Sequence, residues 1–261
     1  MRAALAIAAA VIAFGVAALF AGQRALIYPA PKPARTPSSE LGELVRLPST
    51  VALWSPPSPG AAVVVHFHGN GEQLADLGRV IAALRAAGFG VLAVEYPGYG
   101  LASGKPSQIT LLSAAREALA YARDRLGIAP GRIVLQGQSL GSGVASQLAA
   151  EGQGAALVLI SPFTSMTDLA TRLFPALPVQ RLVRDRFDTR DVARSVRVPV
   201  LIVHGDRDEV VPFSMGEELA RIFPDARLMR VEGAHHNDLW HSHGGEMSSA
   251  IAAFVGRRRV R

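Results

Sequence analysis

Apolar positions along this chain change period repeatedly, and each change marks an element. Residues 61–66 form a β-branched run, 90–94, 133–135, 156–160 and 198–203 are short apolar runs of strand length, and 227–231 also reads as a strand. Between them, apolar residues recur at helical spacing through 74–87, 109–126, 217–222 and 245–255, and a small-residue helical pattern fills 142–150. Strands that are apolar at every position are buried on both faces. Their alternation with helices predicts an α/β fold with a mostly parallel central sheet covered on both sides. Residues 44–54 are expected to add an antiparallel edge. No internal repeat is present. The rhythm breaks at 162–197, a stretch holding Pro175, Pro178 and seven arginines. It is too long for a tight connection and is expected to form a short helical cap over the strand ends.

The first pattern in the chain is of another kind. Residues 3–21 are nineteen consecutive positions without a charge or a strongly polar side chain. As a helix rising ~1.5 Å per residue they would reach roughly 28 Å, about the thickness of a bilayer's hydrocarbon core. The run exceeds the usual signal-peptide core, and Leu19 would occupy the −3 position of a cut after Ala21, where a small residue is required. It therefore reads as an uncleaved single-pass anchor, with a cleaved signal and a secreted or periplasmic product as the alternative. Arg2 faces Arg24, Lys32 and Arg35 across the run, so the flanking charges assign no orientation. The expected organisation is an anchor or signal segment at 1–22, a proline-containing linker at 23–40, one catalytic domain at 41–256 with a cap insert at about 162–197, and a basic tail at 257–261.

Composition narrows the chemistry. Cysteine is absent, which excludes disulfides, thiolate metal sites and cysteine nucleophiles. The net charge of +6 is concentrated, since Arg257, Arg258, Arg259 and Arg261 lie in the last five residues; no nucleic-acid surface is expected. The arginines of 162–197 read as a solvated helical face. Four of the seven histidines fall between 235 and 243, and His66 and His68 share a strand face. The additional acidic and histidine ligands of a metallohydrolase are missing, so no metal is expected; His66 and His204 read as hydrogen-bonding supports of the site. No dinucleotide or phosphate-loop glycine pattern occurs, and no cofactor is implied.

The chemical signal is the segment Gln136-Gly137-Gln138-Ser139-Leu140-Gly141, a Gly-x-Ser-x-Gly element between a strand and a helix. A serine on such a turn is held in strained backbone geometry with its hydroxyl clear of the sheet, and Gly137 and Gly141 leave room for strand and helix to approach. The serine needs a histidine to take its proton and a carboxylate to orient that histidine. Both follow later strands. One loop reads His204-Gly205-Asp206-Arg207-Asp208-Glu209, the next Glu232-Gly233-Ala234-His235-His236-Asn237-Asp238. The order Ser, Asp, His is that of an α/β-hydrolase sheet. Spacing leaves Asp206 and Asp208 open as the acid, and His235 and His236 open as the base. An oxyanion site needs two backbone N–H donors. Leu140, after the nucleophile, supplies one; Asn70 is the candidate for the other, with Gly69 expected to let the chain turn so that the next amide points inward.

Taken together, these segments resemble the α/β-hydrolase family of serine hydrolases, in particular a branch with an N-terminal membrane anchor and a short cap. The resemblance also rests on Gln23-Arg24-Ala25-Leu26-Ile27-Tyr28-Pro29, His68-Gly69-Asn70-Gly71, Tyr96-Pro97-Gly98-Tyr99-Gly100 with Ser103-Gly104, and Ser161-Pro162-Phe163-Thr164-Ser165. It spans nearly the whole chain, with Glu95 as a departure where relatives often carry Asp or Asn. It implies Ser139 as nucleophile, His236 as base, Asp208 as acid, and the N–H groups of Asn70 and Leu140 as oxyanion donors. The implied activity is hydrolysis of a small-molecule carboxylic ester or thioester through an acyl-enzyme at a membrane. A serine peptidase or amidase on the same fold, and a non-catalytic binding module, are the alternatives.

Overall fold

The computed structural model describes residues 2–256, so the basic tail at 257–261 lies outside the described residues. Helix α1 (Arg2–Ile27) leads through an extended segment to strands β1 (Glu43–Arg46) and β2 (Val51–Ser55). Then follow β3 (Val63–Phe67), α2 (Gly78–Ala86), β4 (Gly90–Val94), α3 (Gln108–Asp124), β5 (Ile133–Gln138), α4 (Leu140–Ala150) and β6 (Ala156–Ile160). Three short helices, α5 (Met166–Leu173), α6 (Val179–Leu182) and α7 (Thr189–Ala193), occupy the stretch that broke the rhythm. The chain closes with β7 (Val200–Gly205), α8 (Phe213–Ile222), β8 (Ala226–Val231), α9 (Leu239–Ser242) and α10 (Gly244–Gly256).

Among the described residues the strands form one eight-stranded sheet in the order β1-β2-β4-β3-β5-β6-β7-β8. From β4 to β8 all pairings are parallel, and β1 and β2 add an antiparallel hairpin on β4. The expected mostly parallel α/β sheet is therefore the one observed. The inner strands are largely apolar because each face of the sheet has its own core, whereas the outer strands β1 and β8 are partly exposed and carry charged residues. On β4, Leu92 and Val94 belong to the core on one face of the sheet, shared with α3 and α4, while Val91 and Ala93 belong to the core on the other face, shared with α2 and α10. This is the period-two alternation of a strand buried on both sides.

Local chemistry sets the helix ends. At the start of α3, Ser107 Oγ accepts from the Thr110 N–H at 3.1 Å, and Thr110 Oγ1 accepts from the Ser107 N–H at 2.9 Å, a reciprocal cap. The helix expected from residue 74 begins later. Residues Leu74–Asp76 form a 3₁₀ turn, closed by the Asp76 carboxylate accepting from the Gln73 N–H at 3.1 Å, and α2 proper starts at Gly78. Helix α1 continues through Gln23 to Ile27. Among the described residues no helix is long and apolar enough to cross a membrane. Much of the apolar run read as an anchor, the side chains of 3–6, 8–13 and 16, lies outside the described residues.

Candidate functional site

Ser139 stands between β5 and α4 with φ 47° and ψ −115°, a left-handed backbone that costs a residue with a Cβ on the order of 1–3 kcal/mol. The surroundings hold it there. Its N–H donates to the Ile160 carbonyl at 2.9 Å, and its carbonyl accepts from the Ser142 N–H at 2.9 Å and the Ser142 hydroxyl at 2.6 Å. The flanking glycines make the turn possible by close approach. A Cβ on Gly137 would run into the Gly141 carbonyl, and one on Gly141 into the carbonyls of Phe67 and His68 on the neighbouring strand end.

Two loops bring the titratable groups to this turn. His236 Nε2 lies 3.0 Å from Ser139 Oγ, and its Nδ1 lies 2.7 Å from Asp208 Oδ2. A carboxylate can only accept, so the proton sits on Nδ1 and Nε2 is left to accept from the serine hydroxyl. Asp208 is buried and densely solvated by protein: Oδ1 accepts from the N–H groups of Val210 and Val211 at 3.0 and 2.7 Å, and His204 Nε2 stands 3.4 Å from Oδ2. Burial alone would raise its pKa. Hydrogen bonds from His204, His236 and the Val211 N–H override burial and hold the carboxyl well below the usual carboxylate range.

The residues that sequence spacing left as rivals are engaged elsewhere. Asp206 accepts from the Arg230 guanidinium at 2.9 and 2.6 Å and from the Gly233 N–H at 2.8 Å, fastening the β7 loop to β8. His235 is exposed and its Nδ1 meets Glu209 at 3.0 Å. The structure thus brings Ser139, His236 and Asp208 together and keeps Asp206 and His235 apart from the serine.

The segment 68–71 follows β3, on the sheet position beside β5. Leu140 opens α4, where the first-turn N–H groups have no acceptor within the helix. The left-handed residue of this loop is Gly71 at φ 76°, and a Cβ on Gly69 would meet the Glu72 carboxylate. The Glu72 carboxylate accepts from the Gly69 N–H at 2.7 Å. Asn70 is fixed at both ends of its side chain, its amide donating to the Ile27 carbonyl at the end of α1 and its oxygen accepting from Tyr99 Oη at 2.6 Å.

Beneath this loop lies a buried pair that sequence reading did not assign. His68 Nε2 is 2.9 Å from Glu95 Oε1, Glu95 Oε2 accepts from the Leu74 N–H, and Tyr96 Oη donates to the His68 carbonyl at 2.7 Å. Burial opposes a charge on His68, but Glu95, with Glu72 behind it, raises its pKa above the ordinary value. His66 has no such partner. It meets Gln136 at 3.0 Å, and burial pushes its pKa down to about 3. Trp240 Nε1 donates to Gln138 Oε1 at 2.8 Å and steadies the residue before the serine. The departure at Glu95 is the sequence signal for this pair.

Ser139, Leu140 and Asn70 border a cavity of about 660 Å³, within the range of pockets that enclose small organic ligands. Its walls are largely apolar, with Phe163, Met166 and Leu169 on one side and Val211 on another.

Residues 58–192 match the family described as serine aminopeptidase, S33, and residues 178–257 match that described as TAP-like protein. An uncharacterized protein of Mycobacterium tuberculosis is 36% identical over 202 residues, covering 77% of this chain and 72% of that one. Alpha/beta hydrolase domain-containing protein 17B of Homo sapiens is 35% identical over 185 residues, 70% of this chain and 63% of that one. Among solved structures, Est1E from Butyrivibrio proteoclasticus with ferulic acid bound superposes with a TM-score of 0.69 at 19% identity, covering 84% of this chain and 100% of that one. On its fold and on these matches, the chain belongs to the α/β-hydrolase family.

Proposed function

We propose that this chain is a serine hydrolase that cleaves carboxylic esters or thioesters through an acyl-enzyme. The observation that carries the reading is the continuous hydrogen-bonded line from Ser139 Oγ through His236 to Asp208, opening on an apolar cavity. His236 Nε2 takes the hydroxyl proton as Oγ attacks the acyl carbon. The negative charge on the acyl oxygen is met by the N–H groups of Asn70 and Leu140. Asp208 stabilises the imidazolium, which then gives its proton to the departing alcohol or thiol. Water, activated by the same histidine, attacks the acyl carbon and releases the acid with Ser139 restored.

A screen of p-nitrophenyl esters tests this, with expected turnover in the wild type and loss to near background in Ser139→Ala. Equal turnover by both proteins contradicts the reading. A second reading, a peptidase or amidase, is favoured by the description of the family matched over 58–192. Among the described residues lining the cavity, Glu209 is the only acid available to a peptide's amino terminus, and it is engaged by His235. The ester reading therefore fits the apolar walls better. Turnover of aminoacyl anilides exceeding that of esters would reverse this order.

The proposal includes attachment to a membrane through the apolar run at 3–21, supported by its sequence alone. Recovery of the full chain in the membrane fraction after a carbonate wash is the expected result; recovery in the supernatant contradicts it.

A further inference from the structure

The C-terminal turns of α1 do more than lead into the domain. Gln23 closes on the cap with both ends of its carboxamide: Nε2 donates to the Leu182 carbonyl at 3.1 Å, and Oε1 accepts from the Arg184 N–H at 2.9 Å. Arg24 pairs with Asp185 at 3.0 Å, a carboxylate whose side chain is only 5% exposed. At the end of the helix, the Ile27 carbonyl accepts from the Asn70 side chain. These contacts fix the helix relative to both the cap and the loop beside Ser139. Tyr28, just beyond, is buried in the core.

The face so fixed forms part of the cavity. Leu19, Phe20, Leu26 and Ile27 line it together with Ser139. Leu19, Phe20 and Leu26 are also substantially exposed, as are Leu173, Phe174 and Val210 across the opening. Contiguous exposed apolar surface of this kind marks a place where an apolar partner is bound. The apolar lining gives room to an apolar chain, and its continuity with Ser139 says which end of that chain carries the reacting carbon.

We infer that residues 19–27 of α1 are a wall of an acyl-chain site, so that this enzyme takes long unbranched acyl groups and its N-terminal helix sets the preferred chain length. The inference rests on the serine-hydrolase reading above and adds the substrate class. Each methylene buried contributes favourably to binding, so a long chain gains from the wall what a short one cannot. Gln23 and Arg24 act as positioning residues, holding the wall against the cap.

The test uses the isolated full chain and monomeric p-nitrophenyl butanoate and dodecanoate. Leu26→Trp narrows the site, and Phe20→Ala removes part of the wall at an exposed position where folding is not at risk. The expected result is a fall of roughly tenfold in the dodecanoate-to-butanoate ratio of kcat/KM in either variant. A parallel measurement follows dodecanoate binding to the Ser139→Ala protein by displacement of a fluorescent fatty acid, and the same two substitutions should weaken it by a similar factor. An unchanged ratio together with unchanged binding overturns the inference. Binding that depends on α1 in a protein that hydrolyses no ester would retain the site and overturn the reaction assigned to Ser139.

Discussion

Asp206 and Asp208 sit two positions apart in one loop, yet their surroundings could hardly differ more. Asp208 is enclosed by two backbone N–H groups and two imidazoles, whereas Asp206 is spent on Arg230 and Gly233. Asp208→Asn is expected to lower kcat by roughly 10⁴, because an amide can donate to Nδ1 and would stabilise the wrong imidazole tautomer. Asp206→Asn should stay within about tenfold of wild type, acting through loop stability. Steady-state kinetics of the two variants checks this, and the opposite ranking contradicts it. The buried His68–Glu95 pair makes a second prediction. His68 holds its proton more tightly folded than unfolded, so its contribution to stability is complete below about pH 6.5 and is lost as pH rises through its raised folded pKa. Urea midpoints should therefore fall as pH climbs above about 6.5, and Glu95→Gln should lower the midpoint at pH 6.5 and flatten that slope. A wild-type midpoint that rises over this window is inconsistent with a charged pair. Ser139 was legible in the sequence because two glycines, a strand and a helix specify its geometry as well as its chemistry. The choice within each later loop was open to spacing and came only through the family resemblance, because it depends on a guanidinium from β8 and on turn directions that spacing does not encode.

At the scale of elements, the sheet was readable because a strand buried on both faces has no polar alternation to confuse it. The helix expected from 74 was displaced because Asp76 turns back onto Gln73 and closes a 3₁₀ turn first. The role of α1 was the least legible feature. The contacts that dock its end, made by Gln23 and Arg24, join residues about 160 positions apart and leave no trace in local spacing. Arg24→Ala tests the docking of this helix. It would leave the Asp185 carboxylate buried without its cation, and the cost is expected to be about 1–3 kcal/mol in chemical denaturation, moderated by the partial exposure of Arg24. Adding Asp185→Asn should recover much of that loss. A double variant no more stable than the single one would show that the loss does not come from an unpaired Asp185 carboxylate.

At the scale of the molecule, the parallel sheet carries Ser139 at the end of β5 and delivers Asp208 and His236 from the loops after β7 and β8. The end of α1 and the short helices α5 and α6 line one cavity with Ser139. On the reading proposed above, chemistry belongs to the loops at the ends of the strands and substrate access to the helices that line the cavity. The most direct test of the central claim is to treat the full chain with a fluorophosphonate and map the adduct by peptide mass spectrometry. A single adduct on Ser139, absent from Ser139→Ala and strongly slowed in His236→Ala, is the predicted result. An adduct on another residue, or undiminished labelling of Ser139→Ala, would contradict it.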